Sequence, residues 1–162
     1  MPISTIGTAG LATAGVSQAK LATGVAGTGP AFSAYLAASG GSIASGTFTK
    51  VLFDTELFDT NSNFASSRFT PTVAGYYQIN AAFQISAAAP GFLTILRNAA
   101  EYKRGIWMST ATMQDMAVSG LVFCNGSTDY VEIYLYQTSG GAVTPQGATT
   151  ISWFDGCLAR SA

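Results

Sequence analysis

The chain contains no histidine. That absence removes the commonest general base, every Ser–His or Cys–His nucleophile pairing, and the usual nitrogen ligand of zinc sites. Charge is also scarce. Seven Lys and Arg stand against eight Asp and Glu, 9% of 162 residues and a net charge of −1, where soluble domains carry about a quarter. Lys103-Arg104 is the densest basic run, too little to neutralise a phosphate backbone, so no nucleic-acid partner is expected. No apolar run approaches the roughly 18 residues of a membrane span, so no membrane partner is expected either. Nothing positive precedes Lys20 and no continuous apolar core follows the start; a secretory signal is not expected, and the protein should begin life in a cytosol. The two cysteines, Cys124 and Cys157, lie in apolar strand contexts without ligand-like neighbours, which predicts buried free thiols.

What remains gives catalysis little to stand on. Asp54, Glu56 and Asp59 form the one carboxylate cluster, and in a region rich in turn residues it reads as a solvated acidic turn rather than the paired acids of a glycosidase. Calcium through carboxylates and carbonyls is the alternative there, but the Asp-x-Asp-x-Asp-Gly loop spacing is missing. Gly7–Gly10 and Gly24–Gly29 lack the Lys-Ser/Thr ending of a phosphate loop. The expectation is a non-enzyme with no cofactor and no metal.

Small residues fill the space that charge leaves. Such a charge-poor surface suggests burial against copies of itself or a larger assembly, since charge keeps monomers apart. Residues 1–29 are Gly, Ala, Ser and Thr with sparse aliphatics at Ile3, Ile6, Leu11, Val16, Leu21 and Val25, and their six glycines disfavour a stable helix. We read them as an extended arm whose aliphatics, Ile3 to Leu21, are docking anchors, and residues 30–162 as one all-β domain. Strands are expected over 31–37, 47–53, 92–96, 110–123, 130–137 and 149–159, with a solvated hairpin or edge strand at 101–104 and a tight turn at Asn125-Gly126. The clearest begins at Ala74: Tyr77, Ile79, Ala81, Phe83 and Ile85 alternate with Gln78, Asn80, Ala82, Gln84 and Ser86, the period of a half-buried antiparallel strand.

The stretch leading into that strand carries a family likeness. Phe53, Asp59 and Phe64, then Phe69, Gly75 and Tyr77, resemble the aromatic signature of the complement C1q globular head, a trimeric jelly roll shared with the tumour necrosis factor family. The gap from Phe64 to Phe69 is two residues short of that pattern, and Ile79 and Ala81 replace its last two aromatics. Pro30-Ala31-Phe32-Ser33-Ala34-Tyr35-Leu36 resembles the family's first strand and Phe154-Asp155-Gly156-Cys157-Leu158 its last, so the likeness spans roughly residues 30 to 160.

The resemblance implies a C1q-like jelly-roll sandwich, packed as a homotrimer through the strand from Tyr76 and the closing strand, with Tyr77, Ile79, Phe83, Trp153 and Phe154 as interface residues. Tyr134, Tyr136 and Trp153 are expected in core or interface rather than as a sugar-stacking surface. Trp107 and Met108, in a loop after Lys103-Arg104-Gly105, are the candidate ligand residues. Without collagen-type Gly-X-Y repeats, the chain looks less like an animal complement protein than like bacteriophage virion proteins, which carry such heads on tail fibres and capsid-decorating trimers. The implied role is a capsid decoration, cement or head-fibre protein of the virion, assembled in the host cytoplasm and docked by its arm on partners such as the major capsid protein. A tail-fibre tip binding a host-surface receptor or glycan, or a soluble ligand-binding module, is the alternative.

Overall fold

A computed structural model describes residues 29–109 and 114–162. The anchors proposed at Ile3, Ile6, Leu11, Val16 and Leu21, and the start of the strand expected from Thr110, lie outside the described residues. Twelve strands form two antiparallel six-stranded sheets, and no helix occurs among the described residues.

The first sheet contains β1 (Ala31–Tyr35), β3 (Thr55–Asp59), β6 (Ala74–Ile85), β9 (Asp115–Asn125), β11 (Pro145–Gln146) and β12 (Trp153–Ser161). Its long strand is β6, which pairs with β12 from Gly75 to Ala82 and with β9 along its length from Ala74 to Gln84. β1 then joins β12, and β3 joins β1. The second sheet contains β2 (Thr49–Lys50), β4 (Phe64–Ala65), β5 (Arg68–Phe69), β7 (Gly91–Arg97), β8 (Ala100–Arg104) and β10 (Val131–Gln137). β10 and β7 pair over their whole lengths, and β8 is the edge that its run of charges predicts.

The alternation in β6 explains its place. Tyr77, Ile79, Ala81, Phe83 and Ile85 are all buried between the sheets, as are Val131, Ile133 and Leu135 of β10 opposite them. Phe32 stacks on Phe64 and Phe69 and meets Phe154 edge-on, with ring centroids 4.4–5.0 Å away. This aromatic knot closes one end of the core. Each such ring contributes roughly 1.5–3 kcal/mol on burial, so the aromatic spacing is a packing device. The buried Tyr77 ring stays satisfied because its hydroxyl donates to the Val73 carbonyl at 2.7 Å.

Three expected strands are trimmed. In 47–53 the alternation holds in phase, with Val51 and Phe53 buried and Leu52 exposed, yet ladder pairing stops at Lys50. The Phe53 amide donates instead to the Ser67 hydroxyl at 2.8 Å. β1 ends at Tyr35 because the Ala37 amide turns to the Asp54 carboxylate. β12 starts at Trp153 because the Ile151 and Ser152 amides close a turn onto the Ala148 carbonyl. Asn125-Gly126 does form a tight turn, Gly126 having φ +73°, but it carries the chain from one sheet to the other rather than closing a hairpin.

Candidate functional site: the outward face of the first sheet

Four of the five residues expected at a subunit interface are placed elsewhere. Tyr77, Ile79, Phe83 and Phe154 point between the sheets and are essentially inaccessible within one copy of the chain, so none of them can touch a neighbour. The family spacing fell on the inward phase of these strands. Trp153 alone lies on the outward face, opposite Ala82 on β6 and Tyr35 on β1.

That outward face is built from the polar phase of the same alternation. Across β1, β12, β6 and β9, one rung reads Ser33, Asp155, Asn80 and Ser119, and the next reads Ala31, Cys157, Gln78 and Leu121. Gln78 Nε2 donates to Ser119 Oγ at 2.9 Å and to Asn80 Oδ1 at 3.0 Å, and Ser119 Oγ donates to Asn80 Oδ1 at 2.7 Å. Towards the C-terminal end the face turns apolar. Tyr76 (46% exposed) packs on Phe123 at 5.3 Å. Tyr76, Leu121 (50% exposed) and the segment from Ala159 to Ala162 line an open groove of about 560 Å³.

Charge is distributed unequally between the two sheets. The first sheet holds five charged residues, Glu56 and Asp59 on its edge strand β3 and Asp115, Asp155 and Arg160 on the long strands β9 and β12. The shorter strands of the second sheet hold seven: Lys50, Arg68, Arg97, Glu101, Lys103, Arg104 and Glu132. There Lys50 and Arg68 both reach the buried Glu132 carboxylate, at 2.7 and 2.9 Å, and Arg104 forks onto Glu101. Burial pushes Glu132 up, but the two cations outweigh it and hold the carboxyl below its usual range. The first sheet's face has no comparable solvation. Amides and hydroxyls, each both donor and acceptor, occupy it instead.

Cys124 is buried and Cys157 exposed, both as free thiols. The expectation of two buried thiols fails at Cys157 because it falls on the outward phase of β12. Burial, with a smaller push from Asp129, raises the Cys124 thiol to about 11.

Trp107 and Met108 part company. Met108 bridges to Gly91 through both backbone bonds and packs its side chain against the core. Trp107 (43% exposed) stays outside, 5.4 Å from the Phe92 ring and 6.2 Å from Tyr136. Phe48 joins them at 5.0 Å from Tyr136, and the Arg104 guanidinium lies 4.3 Å above Phe92. Tyr134 and Tyr136 thus sit half-buried on the outward face of the second sheet, not in the core. Two of the acidic trio are local scaffolding, while Glu56 is exposed on β3. Asp54 accepts from the Ala37 amide, and Asp59 from the Asn61 and Phe64 amides. Among the described residues no three His, Cys, Asp or Glu converge as a metal site would require.

Solved structures share this arrangement. The globular domain of zebrafish complement 1qA superimposes with a TM-score of 0.57 at 19% identity, over 83% of this chain and 99% of that one. Murine APRIL gives 0.61 at 8% identity over 80% and 98%, and the PRD1 vertex protein P5 gives 0.59 at 14% over 83% and 100%. The fold is a C1q/TNF-like jelly roll. No protein-family model matches the chain, and no curated protein matches it in sequence. At these identities the shared jelly roll speaks for the fold, and any role must come from the surfaces this chain presents.

Proposed function

We propose that this jelly roll is a non-enzymatic structural protein of a phage virion, a homotrimer that decorates or cements the capsid, or forms a small head fibre, docked through its N-terminal arm. The observation that carries the reading is the contrast between the sheets: one outward face is laced with ion pairs, while the other offers amides, hydroxyls and exposed Tyr76 and Leu121. A face whose centre carries Asp155 as its one charge, and whose other groups both donate and accept, is complementary to copies of itself. Trp153 belongs to that interface. The likeness to a phage vertex protein supports a virion setting. The chain enters the described domain at Gly29, whose backbone lies so close to Leu158 of β12 that a side chain there would collide. The arm therefore leaves from the end of an interior strand of the same sheet, where a trimer would gather three arms together, and Ile3, Ile6, Leu11, Val16 and Leu21 would be its anchors on the major capsid protein. The test is thermal rupture of capsids of the encoding phage with and without the protein. Capsids lacking it should rupture at lower temperature; equal stability in both overturns the decoration reading.

Trp107 supports a second reading, a tail-fibre tip that binds a host-surface glycan. Its half-exposed ring beside Tyr136 and Phe48 is a surface on which a sugar face can stack. In that case the isolated trimer binds host cells and Trp107→Ala weakens binding at least tenfold; no cell binding by the unmodified trimer removes this reading.

A further inference from the structure

Asp155 stands near the middle of the first sheet's outward face. Ser33 of β1 flanks it on one side and Asn80 of β6 on the other, and its Oδ1 is buried without any hydrogen-bond partner. None of the ion pairs among the described residues includes it. Its surroundings supply no compensating cation. From β1 it meets the Ser33 hydroxyl, with Tyr35 one rung away; from β6 the Asn80 amide, with Tyr76 at the far end; on its own strand come Cys157 and then Arg160. Beyond β6, β9 adds Ser119 and, at the opposite end, Asp115, whose carboxylate already accepts from Gln84 at 2.7 Å. Beyond β1, β3 brings Phe58 alongside Ser33, with Glu56 and Asp59 on the same edge strand. These add negative charge or none, Arg160 excepted, and Arg160 lies near the C-terminal end of β12 beside Tyr76.

In a cyclic trimer closed through this face, with its axis running along the strands past the middle of the face, the three copies of each residue lie at the same level and those nearest the axis face one another. Three Asp155 carboxylates then approach one another where neighbouring chains exclude water. Ionised carboxylates that share a dry site disfavour one another's charge, and the site takes up protons as it forms. Within one copy the tendency is already visible: burial raises the Asp155 carboxyl above its ordinary range, and the Ser33 hydroxyl offsets this only in part.

We propose that Asp155 is a proton-operated gate on self-association, so that mild acid tightens the trimer and neutral pH loosens it. This rests on the trimer reading above. Taking up one to three protons on assembly makes the trimer's formation constant change by about 10- to 1000-fold per pH unit between the Asp155 pKa values of the separate and joined chains.

The experiment is sedimentation velocity of the full-length chain across a urea series, at pH 7.5 and pH 5.0, for the wild type, Asp155→Asn and Asp115→Asn. Urea ensures that even a tight trimer dissociates within the measured range. The wild-type trimer should survive at least tenfold greater dilution, or a clearly higher urea concentration, at pH 5.0. Asp155→Asn, which keeps the shape and removes the charge, should match the pH 5.0 wild type at both pH values, and Asp115→Asn should keep the wild-type response. With a pI near 5.1, general loss of net charge would also favour association in acid, but it would persist in Asp155→Asn. A trimer indifferent to pH, or a pH response retained in Asp155→Asn, overturns the gate while leaving the trimer standing. Monomers under every condition overturn the trimer reading itself, and the gate with it.

Discussion

Phe32 and Gly156 are direct partners across β1 and β12, and the Phe32 ring occupies the space where a side chain at position 156 would begin. A Cβ there would lie 2.5 Å from Phe32 Cε1 and 2.8 Å from Ile79 Cδ1. The glycine in Phe154-Asp155-Gly156 therefore exists to let the aromatic knot close. Gly156→Ala should overpack the core and destabilise the fold by about 1–3 kcal/mol, read as a lower urea midpoint with unchanged slope. A midpoint equal to the wild type would mean that the knot has slack.

Glu132 is the buried hub of the second sheet's charge network, held by Lys50 and Arg68. Removing its charge strands two cations against each other. Glu132→Gln should cost about 1–2 kcal/mol, less than breaking a fully buried pair because the two cations left behind are partly solvated.

The same carboxyl sets an acid limit. Its folded-state pKa lies below the unfolded value of about 4.3. Its contribution is therefore fully present above that unfolded value and is lost as pH falls through the lower, folded one. Urea midpoints measured on the protein should fall as pH drops from about 4 towards 2, and that fall should be smaller in Glu132→Gln. Asp155 has the opposite sign: its raised value makes the charged form the costly one, so its contribution is full below the unfolded pKa and is lost as pH rises through the folded one. At pH 5 the Glu132 network is intact, which keeps the two effects separable.

The two thiols should behave differently. Cys124, buried and raised to about 11, should resist a maleimide at pH 7.5 in the folded protein. Cys157 lies exposed on the outward face of β12, so its labelling should be fast in dilute monomer and slow as the trimer forms. Equal labelling of Cys157 at all concentrations would place it outside any interface.

Much of this fold was legible in the sequence because period-two alternation reports burial directly. It placed the start of β6 at Ala74 and its inward phase on Tyr77, Ile79, Ala81, Phe83 and Ile85. Strand ends were less legible, since they depend on distant partners such as Asp54 for Ala37 and Ser67 for Phe53. The interface residues were misread for a related reason. Aromatic spacing marks what a single copy must bury, and Tyr77, Ile79, Phe83 and Phe154 are consumed by that task. The other phase, with Gln78, Asn80, Ser119 and Asp155, is the one that a single copy leaves facing outward. Sequence alone could not say which sheet carried the charges, because β2, β5 and β8 are too short to announce their partners.

The most direct test of the outward face as a trimer interface is native mass by light scattering of the full-length chain and of two arginine variants, Leu121→Arg on that face and Ile106→Arg at a fully exposed position between β8 and β9. Both side chains are exposed in one copy, so both variants should fold. The account predicts about three times the 16.7 kDa chain mass for the wild type and Ile106→Arg, and a monomer for Leu121→Arg. A wild-type monomer, or a trimer that ignores Leu121→Arg and dissociates with Ile106→Arg, would contradict it.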